Sequence, residues 1–263
     1  MTDLTVLSEH IDYVFLLFLR VSGILISSPI FGRKNVPNLA KVGFCAVLTV
    51  VFLACIPEPQ KYPSYGTLLE YVLLCLRELL FGVSMGFVLT AMFSLTMTAG
   101  SIMDYQIGFS MASIYDPQEN AQEPLSGSLF NIMLLISFFA MDGHLKLIEV
   151  LYRTIETVPI GTAVAAPNIV WAAAEVVSKS FVISLMVAMP VLAAGIIMEA
   201  AVGIMIKTVP QLNMFVVGIP LKIIVGLIAM SLTFVVFADC TKGIFTKAFD
   251  YLGLMFEYLK SAA

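Results

Sequence analysis

The chain has 263 residues, 60% of them hydrophobic and only 12% charged, with a mean hydropathy of +0.98. That apolar share is far above a soluble domain's and reads as an all-α polytopic membrane protein. A net charge of -4 with no basic run gives no sign of a nucleic-acid partner, and none is expected. The acidic N-terminus MTDLTVLSEHIDY lacks the basic region of a signal peptide, so the first apolar stretch is expected to stay as a span. Cys45, Cys55, Cys75 and Cys240 lie in or beside apolar stretches without metal-type pairing and read as small hydrophobes.

Taken in order, the first apolar stretch is Tyr13 to Phe31, followed by the basic turn RKNVPNLAK with Arg33, Lys34 and Lys41. The second is Val42 to Ile56, closed by the proline-rich loop PEPQKYPSYG. The third runs from Leu68 to about Met97, where Gly82 and Gly86 can loosen it. A central segment, Thr98 to Pro124, follows and is read as a non-helical connection. The fourth stretch is Leu125 to Met141, and the amphipathic piece HLKLIEVLYRTIETV lies in the mixed-charge section after it. The fifth is Ile169 to Ile206, breakable at Pro190, with Pro210 just beyond it. The sixth is Leu212 to Ala238, ahead of an amphipathic tail. About six long hydrophobic helices are expected.

Two oddities stand out. The third and fifth stretches exceed the roughly 20 residues that cross a bilayer, and tilt absorbs only a modest excess. The positive-inside rule puts the first loop in the cytoplasm, but six ordinary spans then place the acidic central segment inside and Lys242, Lys247 and Lys260 outside. Both point away from six simple lipid-facing spans. Arg20, Arg77, Glu78, Glu175, Lys179, Glu199 and Lys222 also fall inside apolar stretches, at roughly 2.5–3.5 kcal/mol each if central and lipid-facing. They are expected to be buried charges facing protein, water or each other. Glu175 and Lys179 stand at i and i+4 and can pair. Gly195, Glu199 and Gly203 recur every four residues, a small-residue face that lets a helix approach closely.

Gly82-Val83-Ser84-Met85-Gly86 matches the GxSxG nucleophile elbow, which requires a strand, a sharp turn and a helix. Inside a long apolar stretch the same residues read better as GxxxG helix packing. His10 and His144 are isolated, and no metal, phosphate or cofactor motif is present, so neither an enzyme nor a metal site is expected. The central segment carries Asp104, Asp116, Glu119 and Glu123 and no Lys or Arg, yet its middle is the small, apolar IGFSMASI. A long connection of this kind is commonly functional. We read Ile107, Gly108, Phe109, Ser110, Met111, Ala112, Ser113 and Ile114 as a compact plug inside a protein channel, held by the turn at Asp116-Pro117.

Three motifs carry a family resemblance: FGRKNVP at Phe31 to Pro37, DYQIGFSMA from Asp104 on to Asp116-Pro117, and PQLNMF from Pro210 on to Pro220-Leu221-Lys222. With them the chain resembles, over essentially its whole length, the FliR/SpaR/T-type export-gate family of type III secretion. The resemblance implies a P-type-like helical part at 1–168 that includes the plug. It implies a Q-type-like helical hairpin with C-terminal tail at 169–263, turning near Pro210, Gln211 and Asn213. It further implies one copy in a helical hetero-oligomer with P-type and Q-type (FliP-like and FliQ-like) subunits and a B-type, FlhB-like switch protein. Unfolded export substrates would pass through that assembly, in the bacterial inner membrane at the flagellar basal body. The function so implied is structural and gating, without a cofactor. The rival reading is a small-solute secondary transporter with Glu175, Glu199 or Lys222 in a midplane site near a helix broken at Pro190.

Overall fold

In the computed structural model the described residues are 2–33, 35–55, 65–109, 123–162, 169–209 and 214–260. Among them all regular structure is helical: α1 (Thr2–Ser27), α2 (Asn38–Cys55), α3 (Leu68–Ile107), α4 (Leu125–Ala140), α5 (Gly143–Thr157), α6 (Ile169–Thr208) and α7 (Met214–Lys260). Four of these, α2, α3, α6 and α7, are long and apolar enough to cross a membrane, or five spans if α4 and α5 together make one bent span. Against the roughly six long helices expected, the described residues form seven helices, of which four or five are candidate spans. The first turns of α1 carry Asp3, Glu9 and Asp12, and its apolar run holds Arg20 and stops at Ser27. α4 has 16 residues, short of the roughly 20 a span needs.

The long stretches are unbroken. α3 and α6 each have 40 residues and α7 has 47, running from Met214 in the sixth apolar stretch to Lys260 in the tail. Pro190 does not break α6, nor Pro220 α7. A proline removes one ladder hydrogen bond, but Ala188 and Val191 beside Pro190 are fully buried, and packing holds the turn in place. Gly82 and Gly86 likewise leave α3 continuous.

The chain forms two compact units. The first comprises Met1–Met92, Asp142–Val177 and Phe245–Ala263, the second Phe93–Met141 and Ser178–Ile244. In the first, buried residues recur at helical spacing: Leu17, Val21 and Ile24 on α1, Phe81, Met85 and Val88 on α3, Leu147, Leu151 and Ile155 on α5, Leu252, Met255 and Leu259 on α7. α5 is the amphipathic piece read from the sequence. Its outer face carries the exposed i,i+4 ion pair Glu149–Arg153, at 2.7 Å.

A charged group lies in the middle of this apolar core. Arg20 and Glu78 have no exposed surface. Arg20 donates from Nε and Nη2 to the Glu78 carboxylate at 2.6 and 3.0 Å. Its Nη1 donates to the carbonyls of Thr154 and Val158 at 3.1 and 2.7 Å, at the C-terminal end of α5. Glu78 also accepts the Gly161 amide at 2.8 Å, and the guanidinium lies 4.5 Å from the Phe81 ring centroid. The cation thus takes up the Val158 carbonyl just past the helix end and shares the Thr154 carbonyl with the Val158 N–H, which donates to it at 3.1 Å. α1 and α3 come close enough for this because glycines face each other. A Cβ on Gly82 would lie 2.5 Å from the Arg20 carbonyl oxygen and 2.9 Å from Gly23 Cα, and one on Gly86 would meet Ile24 O at 2.8 Å.

In the second unit, Phe130, Leu134 and Phe138 of α4 form a buried i,i+4,i+8 stripe. Phe130 packs edge-on against Phe234 and Phe237 of α7, at ring-centroid distances of 5.5 and 5.0 Å, and Phe138 edge-on against Phe93 of α3 at 5.9 Å.

Removing one member of the buried pair strands the other. Arg20→Met alone is expected to cost about 3–5 kcal/mol of stability, whereas Arg20→Met combined with Glu78→Leu costs less than the sum of the two single changes. Thermal unfolding of the detergent-purified protein measures this, and strictly additive losses would show the two side chains to be uncoupled.

Candidate functional site: the root of the central segment

The central segment starts later than its sequence suggests. α3 runs on through Thr98 to Ile107, so the first part of the stretch read as a non-helical connection is helix. Leu95, Ala99, Met103 and Ile107 explain this: each is about 1% exposed or less, and together they continue one buried face at helical spacing. The helix stops at Gly108, whose φ of +101° suits glycine and whose amide still donates to the Asp104 carbonyl at 3.0 Å.

Asp104 therefore sits on the last turns of α3, and it reaches α4. Its two carboxylate oxygens accept the backbone N–H of Ser126 at 3.2 and 3.3 Å, and Oδ1 also accepts the Ser126 hydroxyl. Pro124, at the N-cap of α4, makes no side-chain cap bond. Asp104 supplies from another helix the acceptor and the negative charge that a helix N-terminus favours. Asp104 is 5% exposed and Ser126 fully buried, so these bonds also offset the desolvation of the acid. Beside them α3 and α4 touch backbone to backbone: a Cβ on Gly100 would collide with the amide nitrogen and Cα of Gly127. Both flanks of the central segment are thereby joined at one point.

The end of α3 also rests on α6 and α7. The Gln106 side chain fills the space a Cβ on Gly195 would need, and Ile107 fills that of Gly226, its Cγ1 lying 2.7 Å from the position such a Cβ would take. Gln106 Nε2 donates to Glu199 Oε1 at 3.4 Å, and Lys222 Nζ donates to the same oxygen at 2.5 Å.

Of the residues read as plug, Ile107 is the last residue of α3, with Gly108 and Phe109 directly after it. Ser110, Met111, Ala112, Ser113, Ile114, Asp116 and Pro117 lie outside the described residues, as do Pro210, Gln211 and Asn213 of the expected hairpin turn. Among the charges, Arg20 with Glu78 and Glu199 with Lys222 come together as pairs. Arg77, Glu175 and Lys179 lie exposed on this chain, and Glu175 and Lys179 form no ion pair with each other among the described residues. Gly82, Gly86 and Gly195 sit at close approaches, while nothing lies within 4 Å of a Cβ built on Gly203. Ser84 donates to the Phe81 carbonyl at 2.8 Å within α3, so the strand–turn–helix a nucleophile elbow needs is absent there. Sequence reading missed Gly23, Gly100, Gly127 and Gln106. The only signal was the apolar spacing that carries α3 past Met97.

The comparisons with known proteins agree with one another. The family described as "Bacterial export proteins, family 1" matches residues 11–248. The flagellar biosynthetic protein FliR of Bacillus subtilis (strain 168) is 35% identical over 230 residues, 84% of this chain and 87% of that protein. The protein of the same name from Escherichia coli (strain K12) is 29% identical over 234 residues, 89% of this chain and 88% of its own length. That from Aquifex aeolicus (strain VF5) is 26% identical over 230 residues, 86% of each. Matched almost from end to end, the chain belongs to the bacterial export proteins, family 1, together with the flagellar FliR proteins.

Proposed function

We propose that this chain is a structural and gating subunit of the flagellar type III protein export gate, needed for flagellum assembly, in the inner membrane at the flagellar basal body. The observation that carries the gating part is the joining of both flanks of the central segment through Asp104–Ser126 and Gly100–Gly127. A segment held at its base in this way is suited to standing as a plug, with Gly108 to Ile114 as the apolar, small-residue stopper and Ile107, buried at the end of α3, as its root. Relatives named for flagellar biosynthesis, in a family named for export, supply the system.

The helices also suit a role inside a larger assembly. In the most apolar window of α7 only 17% of residues are buried within this chain, and Ile196, Ile197, Val216 and Val235 stand 60–69% exposed. In our reading, partner subunits of the P-type and Q-type, and a B-type switch protein, cover part of that surface. Residues 1–168 act as a P-type-like part and residues 169–263 as a Q-type-like hairpin. The ion pair between Glu199 on α6 and Lys222 on α7 supports the hairpin, since the two residues stand at matching distances on either side of the connection. The solute-transporter alternative is not favoured: Glu199 and Lys222 already engage each other, and the relatives are named for flagellar biosynthesis.

Two measurements test this. Deleting Phe109 to Ile114 is expected to leave the assembled complex intact and make the resting inner membrane leaky to ions. An unchanged conductance in a correctly assembled complex argues against the plug. Mild-detergent extraction after co-expression with the neighbouring export genes is expected to give a heteromeric complex of defined native mass, and a monomer indifferent to those partners would sink the gate reading.

A further inference from the structure

We propose that the last turn of α3 is a fixed anchor, held on α6 and α7 by the positioning residues Glu199, Lys222 and Gln106, and that it stays seated while export proceeds. The functional half rests on the export-gate reading; the structural half does not. Three features converge on this turn. Glu199 Oε1 receives both Lys222 and Gln106, so one oxygen links α6, α7 and α3. Gly195 and Gly226 leave the spaces that Gln106 and Ile107 occupy, and Ile107 is 1% exposed. On its other side the same turn presents Asp104 to Ser126, whose hydroxyl also reaches Met230 Sδ of α7 at 3.2 Å.

The contacts differ in kind, and that assigns their roles. Apolar seating of Ile107 against a glycine fixes depth but resists sliding only weakly. A shared carboxylate oxygen fixes register, because moving α3 by one turn would part Gln106 from Glu199. Glu199 is half-exposed and Lys222 a quarter exposed, so their attraction alone is modest. The pair therefore acts as a register pin, and the glycine seats supply the closeness.

Cysteine pairing in the whole assembled complex, in native membranes, tests the proposal. A Cβ on Gly226 would lie 3.3 Å from Ile107 Cβ, near the roughly 3.5–4.5 Å span of a disulfide. Ile107→Cys with Gly226→Cys is expected to cross-link under copper–phenanthroline and air, each single-cysteine variant serving as control. Adding Glu199→Gln should lower the yield several-fold, and Glu199→Lys with Lys222→Glu should restore it. Swimming and flagellin secretion should persist in the cross-linked cells. Absence of the cross-link, or a yield indifferent to Glu199→Gln, overturns the seating. A cross-link that stops export until dithiothreitol is added overturns the fixed anchor. Should the double variant fail to assemble, Ile107→Cys alone decides the seating. Its thiol should label slowly with maleimide and markedly faster with Glu199→Gln, and equal rates overturn the pin. If the wild-type chain fails to restore export to a strain lacking it, the export-gate reading falls, while cross-link yield still decides the seating.

Discussion

A guanidinium cut off from water must have its charge and its N–H groups matched by protein, and in the first unit Arg20 dictates the surroundings accordingly. It sits where α1, α3 and the end of α5 meet, without exposed surface, and four of its hydrogen bonds are accounted for. Burying an unpaired ion would cost several kcal/mol, so the carboxylate and the two carbonyls hold their places together or not at all. That requirement sets the spacing of the helices. The guanidinium reaches Glu78 because Gly23 and Gly82 bring the α1 and α3 backbones nearly into contact. It reaches Thr154 and Val158 because α5 ends there: no further turn of helix claims the Val158 carbonyl, and the Thr154 carbonyl, which takes the Val158 N–H, has a second lone pair to offer. Hydrophobic packing alone would tolerate rotation and sliding of these apolar helices; the fork of donors on Arg20 does not.

The second unit solves a related problem with an acid. Asp104 is nearly as buried as Arg20, but it faces the start of a helix rather than the end of one. The two sites use opposite ends of the peptide dipole: a cation at the carbonyl end of α5 and an anion at the amide end of α4. Beside each charge a glycine pair permits the approach, Gly23 with Gly82 in one and Gly100 with Gly127 in the other. Ionic hydrogen bonds fix orientation, and missing side chains allow proximity.

Much of this was legible in the sequence because membrane composition and helix periodicity are strong signals. The all-helical class, the over-long third and fifth stretches and the amphipathic α5 all followed from apolar pattern. Charges in apolar stretches could be picked out from the sequence, but not which of them are buried or what they pair with, since pairing between residues 20 and 78, or 199 and 222, depends on how helices are brought together. The end of α3 was misplaced because Thr98, Ser101, Asp104 and Gln106 look like loop chemistry. All four fit a helix by bonding to it or reaching a partner: Thr98 donates to the Ser94 carbonyl, Ser101 to the Met97 carbonyl, Asp104 receives Ser126, and Gln106 reaches Glu199. Pro190 misled in the opposite direction, since a helix held by its neighbours survives the loss of one ladder bond. Gly100 and Gly127 could not be recognised as a crossing point, because nothing local distinguishes a glycine that meets another backbone from one, like Gly203, that faces open space.

The unbroken length of α3 has a cost outside the assembled state. At about 1.5 Å per residue its 40 residues make a rod roughly 60 Å long, about twice the hydrocarbon thickness of a bilayer. Hiding such a rod in lipid would take a tilt of about 60°, beyond the 0–40° that spanning helices adopt. A newly made copy without neighbours therefore carries apolar surface that neither water nor lipid accommodates well. Chains in that condition are substrates for membrane proteases and chaperones. On the export-gate reading, the subunits that cover this rod would then set how many copies persist, and surplus copies would be short-lived.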